Sequence, residues 1–169
     1  MIGLLASSLV GLSVSAGIGS PYDFGGFRAD LHVWHVAVSA ALGLSGVGLH
    51  DEATYGVRNV HLAPALGIRA FSGDGAGFVL AATWAGHRYE RSYDSQYAFD
   101  STAWMDIFTL NAGWRFLWSS GWFFEAAGGT GMVIQGGHPS VTGADSIPGP
   151  FRRRTWRIVD VVLGGGYHF

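Results

Sequence analysis

Val159-Asp160-Val161-Val162-Leu163-Gly164-Gly165-Gly166-Tyr167-His168-Phe169 is the stretch on which the reading of this chain turns. One set of alternate residues, Val159, Val161, Leu163, Gly165, Tyr167 and Phe169, is apolar and ends in an aromatic. The interleaved set, Asp160, Val162, Gly164, Gly166 and His168, is smaller and more polar. A period of two marks a strand with one apolar face. With Phe169 last in the sequence, this strand is expected to be closed by partner strands rather than by a later element.

The composition gives that strand a setting. Of 169 residues, 49% are hydrophobic and only 13% charged, against about 25% charged in soluble domains. A surface with so few charges does not mostly meet water. Yet Gly, Ser, Arg or Asp interrupts every apolar run short of the ~18 residues a helical span needs, and 27 glycines argue against helices. A closed barrel satisfies its backbone between strands and leaves no edge. The expected fold is therefore all-β, a single-domain (1–169) transmembrane antiparallel up-and-down barrel. Cysteine is absent, so no disulfide or thiolate metal site forms. A net charge of −2 gives no support for nucleic-acid binding.

Eight strands are expected, over about 5–18, 25–33, 36–48, 57–71, 77–90, 103–117, 122–135 and 152–169. Val10, Leu12, Val14, Ala16 and Ile18 illustrate an outward set, and Gly11, Ser13, Ser15 and Gly17 its inward counterpart. Pro64 inside the fourth strand predicts a bulge, because proline costs a ladder hydrogen bond. The turns at Trp34–His35, Ser72–Gly75 and Trp118–Gly121 are short. The connections His50–Tyr55, Arg91–Ser101 and Gln135–Pro150 are longer and more polar. Short turns on one rim and long loops on the other match the asymmetry of bacterial outer-membrane barrels, which places both termini on the periplasmic side. Met1–Ala16 is apolar, and Val14-Ser15-Ala16 resembles a signal cleavage site. It lacks a basic n-region, so it is read as part of strand one, with the export signal expected to have been removed ahead of this numbering.

The chain as a whole resembles the small eight-stranded outer-membrane barrels of the OmpA/OmpX/OmpW type. The motif Val161-x-Leu163-x-Gly165-x-Tyr167-x-Phe169 carries the likeness best. In that family such a terminal strand resembles the signal read by the barrel assembly machinery. The resemblance implies an outer-membrane location, contact with lipid and lipopolysaccharide, and a monomer; it implies no cofactor. A soluble lipocalin-like barrel would instead turn outward faces such as Ala37, Ser39, Ala41, Gly43 and Ser45, which carry too little charge to be wet.

The inward parity gathers a set of lumen charges: Arg28, Asp30, His32, His61, Arg69, His87, Arg115, Glu125 and Asp160, with His168. A charge in a narrow lumen is costly unless paired, so these are expected to pair and plug the barrel rather than line an open pore. Counting back from the Trp118–Gly121 turn, Arg115 and Glu125 lie at similar depth, and Glu125 is expected to join Arg115 or Arg28. No H-E-x-x-H or related spacing marks a metal site among the seven histidines. Arg58, Arg88, Arg91, Arg152, Arg153, Arg154 and Arg157 gather near the loop-bearing rim, where guanidinium forks suit lipid phosphate. Aromatics such as Trp114, Phe116, Trp118, Trp122, Tyr167 and Phe169 mark the other end, in the manner of an interfacial girdle.

The leading expectation is a non-enzymatic barrel that is structural, presents loops, or forms a very narrow pore. The alternative is a lipid A-modifying hydrolase, for which His87, Asp106 and Ser101 or Ser92 make the best triad on offer. No motif supports that triad, and the outward parity of Asp106 is at odds with it.

Overall fold

The computed structural model describes residues 10–45, 55–57, 61–93, 100–136 and 154–169. The strands are β1 (Val10–Gly19), β2 (Asp23–Val33), β3 (Val36–Ser45), β4 (Tyr55–Val57), β5 (His61–Phe71), β6 (Gly77–Tyr93), β7 (Asp100–Leu117), β8 (Trp122–Gly136) and β9 (Arg154–His168). Each pairs antiparallel with its neighbours. β9 returns to β1, with Ser13 opposite His168 and Ile18 opposite Leu163. The sheet thus closes on itself. β4 and β5 both pair with β6 and together form one stave, so the barrel has eight.

The register fixes the tilt. Starting at Ser15, partners run through Arg28, Ala41, Ala65, Ala85, Ile107 and Val133 to Trp156. Across the closing seam Ser15 faces Gly166 instead, ten residues further along β9. With ~3.3 Å per residue and ~4.8 Å between strands, that stagger means a tilt of about 40°.

Alternation decides which side chains meet which environment. Outward residues are apolar and exposed all round: Val14, Phe27, Val38, Leu66, Leu80, Leu110, Phe124 and Val161 are examples from eight strands. Most inward residues are small or polar and buried, among them Ser13, Arg28, Asp30, Ser39, Arg69, Thr109, Asn111, Arg115, Glu125 and Asp160, with a few apolar ones such as Phe71, Val79 and Phe123 packed among them. This is the reverse of a water-soluble protein, in which charges face outward.

Several boundaries differ from the sequence reading. Of the expected fourth strand, Val57 belongs to β4 and 61–71 form β5, while 58–60 lie outside the described residues. The Arg91–Ser101 loop is shorter than expected, because β6 and β7 stay paired as far as Ser92 opposite Asp100. Pro64 makes no bulge: β3 and β5 run through Leu42 opposite Pro64 without a register shift. Pairing of β5 with β6 begins only at Ala65. At Pro64 the strand therefore has a ladder on one side only, and a missing donor is accommodated without an extra residue. The irregularities fall instead on either side of the β1–β2 turn, between Gly17 and Gly19 and between Asp23 and Gly26.

The Trp34–His35 turn is a two-residue hairpin between Val33 and Val36. Trp34 adopts φ 60° there, a left-handed conformation uncommon for a bulky residue. Its ring stacks on His35, and the His35 carbonyl accepts from Phe71 N–H at 2.7 Å, which fixes the turn to the adjacent stave.

Candidate functional site

The lumen is filled in layers. The central one is a cluster of three arginines and two carboxylates, contributed by four strands: Arg28 and Asp30 from β2, Arg69 from β5, Arg115 from β7 and Glu125 from β8. Arg115 and Glu125 are direct cross-strand partners, and Arg115 Nε donates to Glu125 Oε2 at 2.9 Å. Arg28 reaches Glu125 with both terminal nitrogens at 3.4 Å, and Arg69 also donates to it. Asp30 is the second hub. Arg115 Nη2 lies 3.0 Å away and Arg69 Nη1 3.3 Å away. Arg28 Nε is 2.9 Å from its Oδ1 and donates to Oδ2 at 3.2 Å.

All five are almost fully enclosed, with Asp30 0% and Arg115 and Glu125 each 1% exposed. Three positive charges against two negative leave the cluster with one excess positive charge. Aromatic faces help to hold that excess: the Arg115 guanidinium lies 4.1 Å from the Phe123 ring centroid and 4.7 Å from that of Phe71, distances at which a ring quadrupole attracts a cation.

Towards the turn end, Ser13 Oγ sits 2.9 Å from His32 Nε2 and donates to Asp30 at 3.3 Å. The His32 ring packs against Phe71 and edge-on to His168. The lumen is therefore closed below the cluster by rings as well as by charge.

Towards the loop end lies a cavity of about 10 Å³, lined in part by Arg28, Ser39, Arg69, Thr83, Asn111 and Glu125, roughly the room one water molecule needs. Above it, Asp160 accepts from Asn111 Nδ2 at 2.8 Å and from Ser20 N–H at 3.2 Å. Asp160 therefore faces the lumen but is held by neutral donors, not by the arginines. This corrects its place in the expected network: parity gives the face of a residue, not its depth. Its negative charge offsets the excess of the cluster from the far side of the cavity.

The β1–β2 turn, Ser20–Tyr22, folds into the lumen. Tyr22 is 0% exposed. Its hydroxyl lies 2.7 Å from Ser15 Oγ, and Arg28 sits 4.9 Å above its ring. Ser20 Oγ meets Thr109 Oγ1 across the barrel at 2.9 Å. The ring fits because Gly17 and Gly164 line its slot; a Cβ on either would come within 2.8 Å of Tyr22. Sequence reading put Ser13 and Asn111 on the inward face without giving them a part in the site, and it missed Ser20, Tyr22 and Thr109. The available signal was the small-residue parity of Gly17 and Gly164 beside a bulky turn residue.

The side chains of His61, His87, Arg58, Arg88, Arg91, Arg152, Arg153 and Arg154 lie outside the described residues, as do those of Ser92 and Ser101. Arg157 is exposed on the outer face. Asp106 keeps its outward parity, and Trp84 Nε1 donates to it at 3.1 Å, so its place is on the outer wall. Among the described residues no group of three His, Asp or Glu side chains is arranged to hold a metal.

Compared with models of known protein families, with curated proteins and with solved structures, the chain matches none.

Proposed function

We propose that this chain is a non-enzymatic integral outer-membrane barrel of the OmpA/OmpX/OmpW kind, whose lumen is plugged by its own ion pairs. The observation that carries the reading is the inverted distribution of polarity. Large apolar side chains such as Phe27 at 75%, Leu110 at 65% and Val159 at 86% exposure cover the outside, while five charged side chains are sealed inside. Soluble proteins rarely expose contiguous apolar patches larger than a few hundred Å²; here the apolar surface is a continuous belt. The ten residues of β1, tilted by about 40°, rise roughly 25 Å, the height of the apolar band of such barrels. Trp34, Trp118, Trp122 and Phe169 are exposed at the turn end, in keeping with a periplasmic girdle.

In this reading the rim arginines, from Arg58 and Arg88 to Arg157, contact lipopolysaccharide phosphate at the opposite end. The terminal strand engages the assembly machinery. The barrel serves the envelope as a structural, loop-presenting element and, with the cluster intact, conducts no ions. Reconstitution into liposomes tests this. The folded protein is expected to resist carbonate extraction, to show no liposome swelling with small sugars and to leave lipid A unchanged in mass. Release by carbonate would reject membrane integration, swelling would reject the plug, and altered lipid A would restore the enzymatic alternative.

A further inference from the structure

The charged cluster is not the only closure of this lumen. β1 and β2 end at Gly19 and Asp23, whereas β6 and β7 continue paired to Ser92 opposite Asp100. Their turn therefore lies well below the top of the tallest wall, and it bends inward over the cavity. Two features set it apart from the fixed wall. First, the ladder is interrupted on both sides of it, between Gly17 and Gly19 and between Asp23 and Gly26. Gly19 itself has φ 83°, a conformation open to glycine. The turn is thus flanked by irregular pairing on both sides, although Gly19 still faces Asp23 and Asp23 faces Leu44. Second, among the described residues few side-chain hydrogen bonds hold its tip to the wall, namely Ser20 to Thr109, Ser20 N–H to Asp160, and Tyr22 to Ser15, beside the Tyr22 ring seated under Arg28. Water can replace each of these bonds, so each contributes little net free energy. The arginines and carboxylates beneath are different. They grow from the strands, and freeing any one leaves an uncompensated buried charge.

We infer that the Ser20–Tyr22 turn is a movable latch that closes the lumen from the loop end, and that its release opens the cavity over Arg28 and Arg69 while the cluster stays intact. The inference rests on the barrel geometry alone and holds whether or not the lumen ever conducts. Withdrawal of Tyr22 vacates the slot against Gly17 and Gly164 and uncovers Ser39, Thr83 and Asn111. The cavity then becomes an open, polar recess with a cationic floor.

The absence of cysteine makes the test clean. Ser39→Cys places a thiol in the cavity wall beneath the turn, at a position 3% exposed. Ser13→Cys places one on the other side of the cluster, at a position 1% exposed. Labelling by a small, water-soluble, charged methanethiosulfonate is followed by mass in folded protein, with heat-modifiable mobility confirming the fold. Thr109→Val and Tyr22→Phe each remove one latch bond and keep the shape. Each is expected to raise labelling at position 39 about fivefold, the factor set by the typical net strength of one hydrogen bond, and to leave position 13 unchanged. Ser20→Cys with Thr109→Cys, oxidised to a disulfide, is expected to lower labelling at position 39 at least about fivefold; reduction should restore it. Rates at position 39 indifferent to both the latch variants and the disulfide would make the turn a fixed part of the wall. Equal rises at 39 and 13 would show general loosening. Either result overturns the inference.

Discussion

Replacing Glu125 by Gln tests the central layer most sharply, because one carboxylate there serves three guanidinium groups. In the folded protein Glu125 accepts from Arg115 at 2.9 Å, from Arg28 at 3.4 Å, and from Arg69. At an effective dielectric of ~20, each contact at such range is worth roughly 4 kcal/mol in gross attraction. Much of that offsets the cost of taking the carboxylate out of water, which is several kcal/mol. What remains is the cost of breaking a buried pair from one side, about 3–5 kcal/mol. The substitution also raises the excess charge of the cluster from one to two. Arg115→Gln moves the other way, to charge balance, and its cost is expected to be the smaller of the two. The double substitution is expected to cost less than the sum of the singles, since the variants share one contact. Urea unfolding in lipid vesicles, followed by tryptophan fluorescence and heat-modifiable mobility, measures all three. Additive losses, or a larger loss for Arg115→Gln, would refute the reasoning.

Three further outcomes follow from the same geometry. Leu110→Arg, on the outer face, should cost about 2–4 kcal/mol if that position sits near the bilayer midplane, and Asn111→Arg, one residue on but facing the lumen, should leave lipid-face burial unchanged; the reverse ranking in a folding titration would overturn the facing of β7. Replacing Tyr167 and Phe169 by alanine should lower the yield of folded, heat-modifiable protein more than deleting 141–146, because Phe169 N–H bonds Leu12 O at 2.8 Å across the closing seam and Tyr167 packs edge-on to Trp122. Glu125→Gln in planar bilayers should produce a small leak that prefers anions, given the doubled positive excess, while unchanged conductance would show that the ring layer and the Ser20–Tyr22 turn seal the lumen without the full charge network.

The strands and their faces were legible because a half-apolar strand writes its period directly into the sequence. In β9, Val159, Val161 and Leu163 alternate with Asp160, Val162 and Gly164, and the structure keeps that order. The Arg115–Glu125 contact was legible for a related reason: two inward residues counted back from one short turn arrive at the same depth. Asp160 shows where that logic stops. Its face was readable, but its height above the arginines depends on the barrel stagger, which is a property of the closed sheet. The inward turn left only a faint trace in the sequence, the small inward residues Gly17 and Gly164. Tyr22 finds its place because Gly17 and Gly164, far apart in sequence, leave a slot across the seam between β1 and β9. Pro64 misled for the opposite reason: its cost depends on whether a neighbour pairs there, and β6 does not.

A membrane barrel has lipid around its outer face, and spin-label accessibility measures that directly. Single cysteines at Leu42, Leu80, Leu110 and Val161, on four outward strand faces, and at Ser39 and Asn111 inside, would each carry a nitroxide in protein reconstituted into liposomes. The outward labels are expected to relax strongly with dissolved oxygen, which concentrates in hydrocarbon, and hardly at all with a water-soluble nickel chelate. The inward labels should respond weakly to both. Strong nickel relaxation at the outward positions would place water against the apolar belt and contradict the membrane barrel.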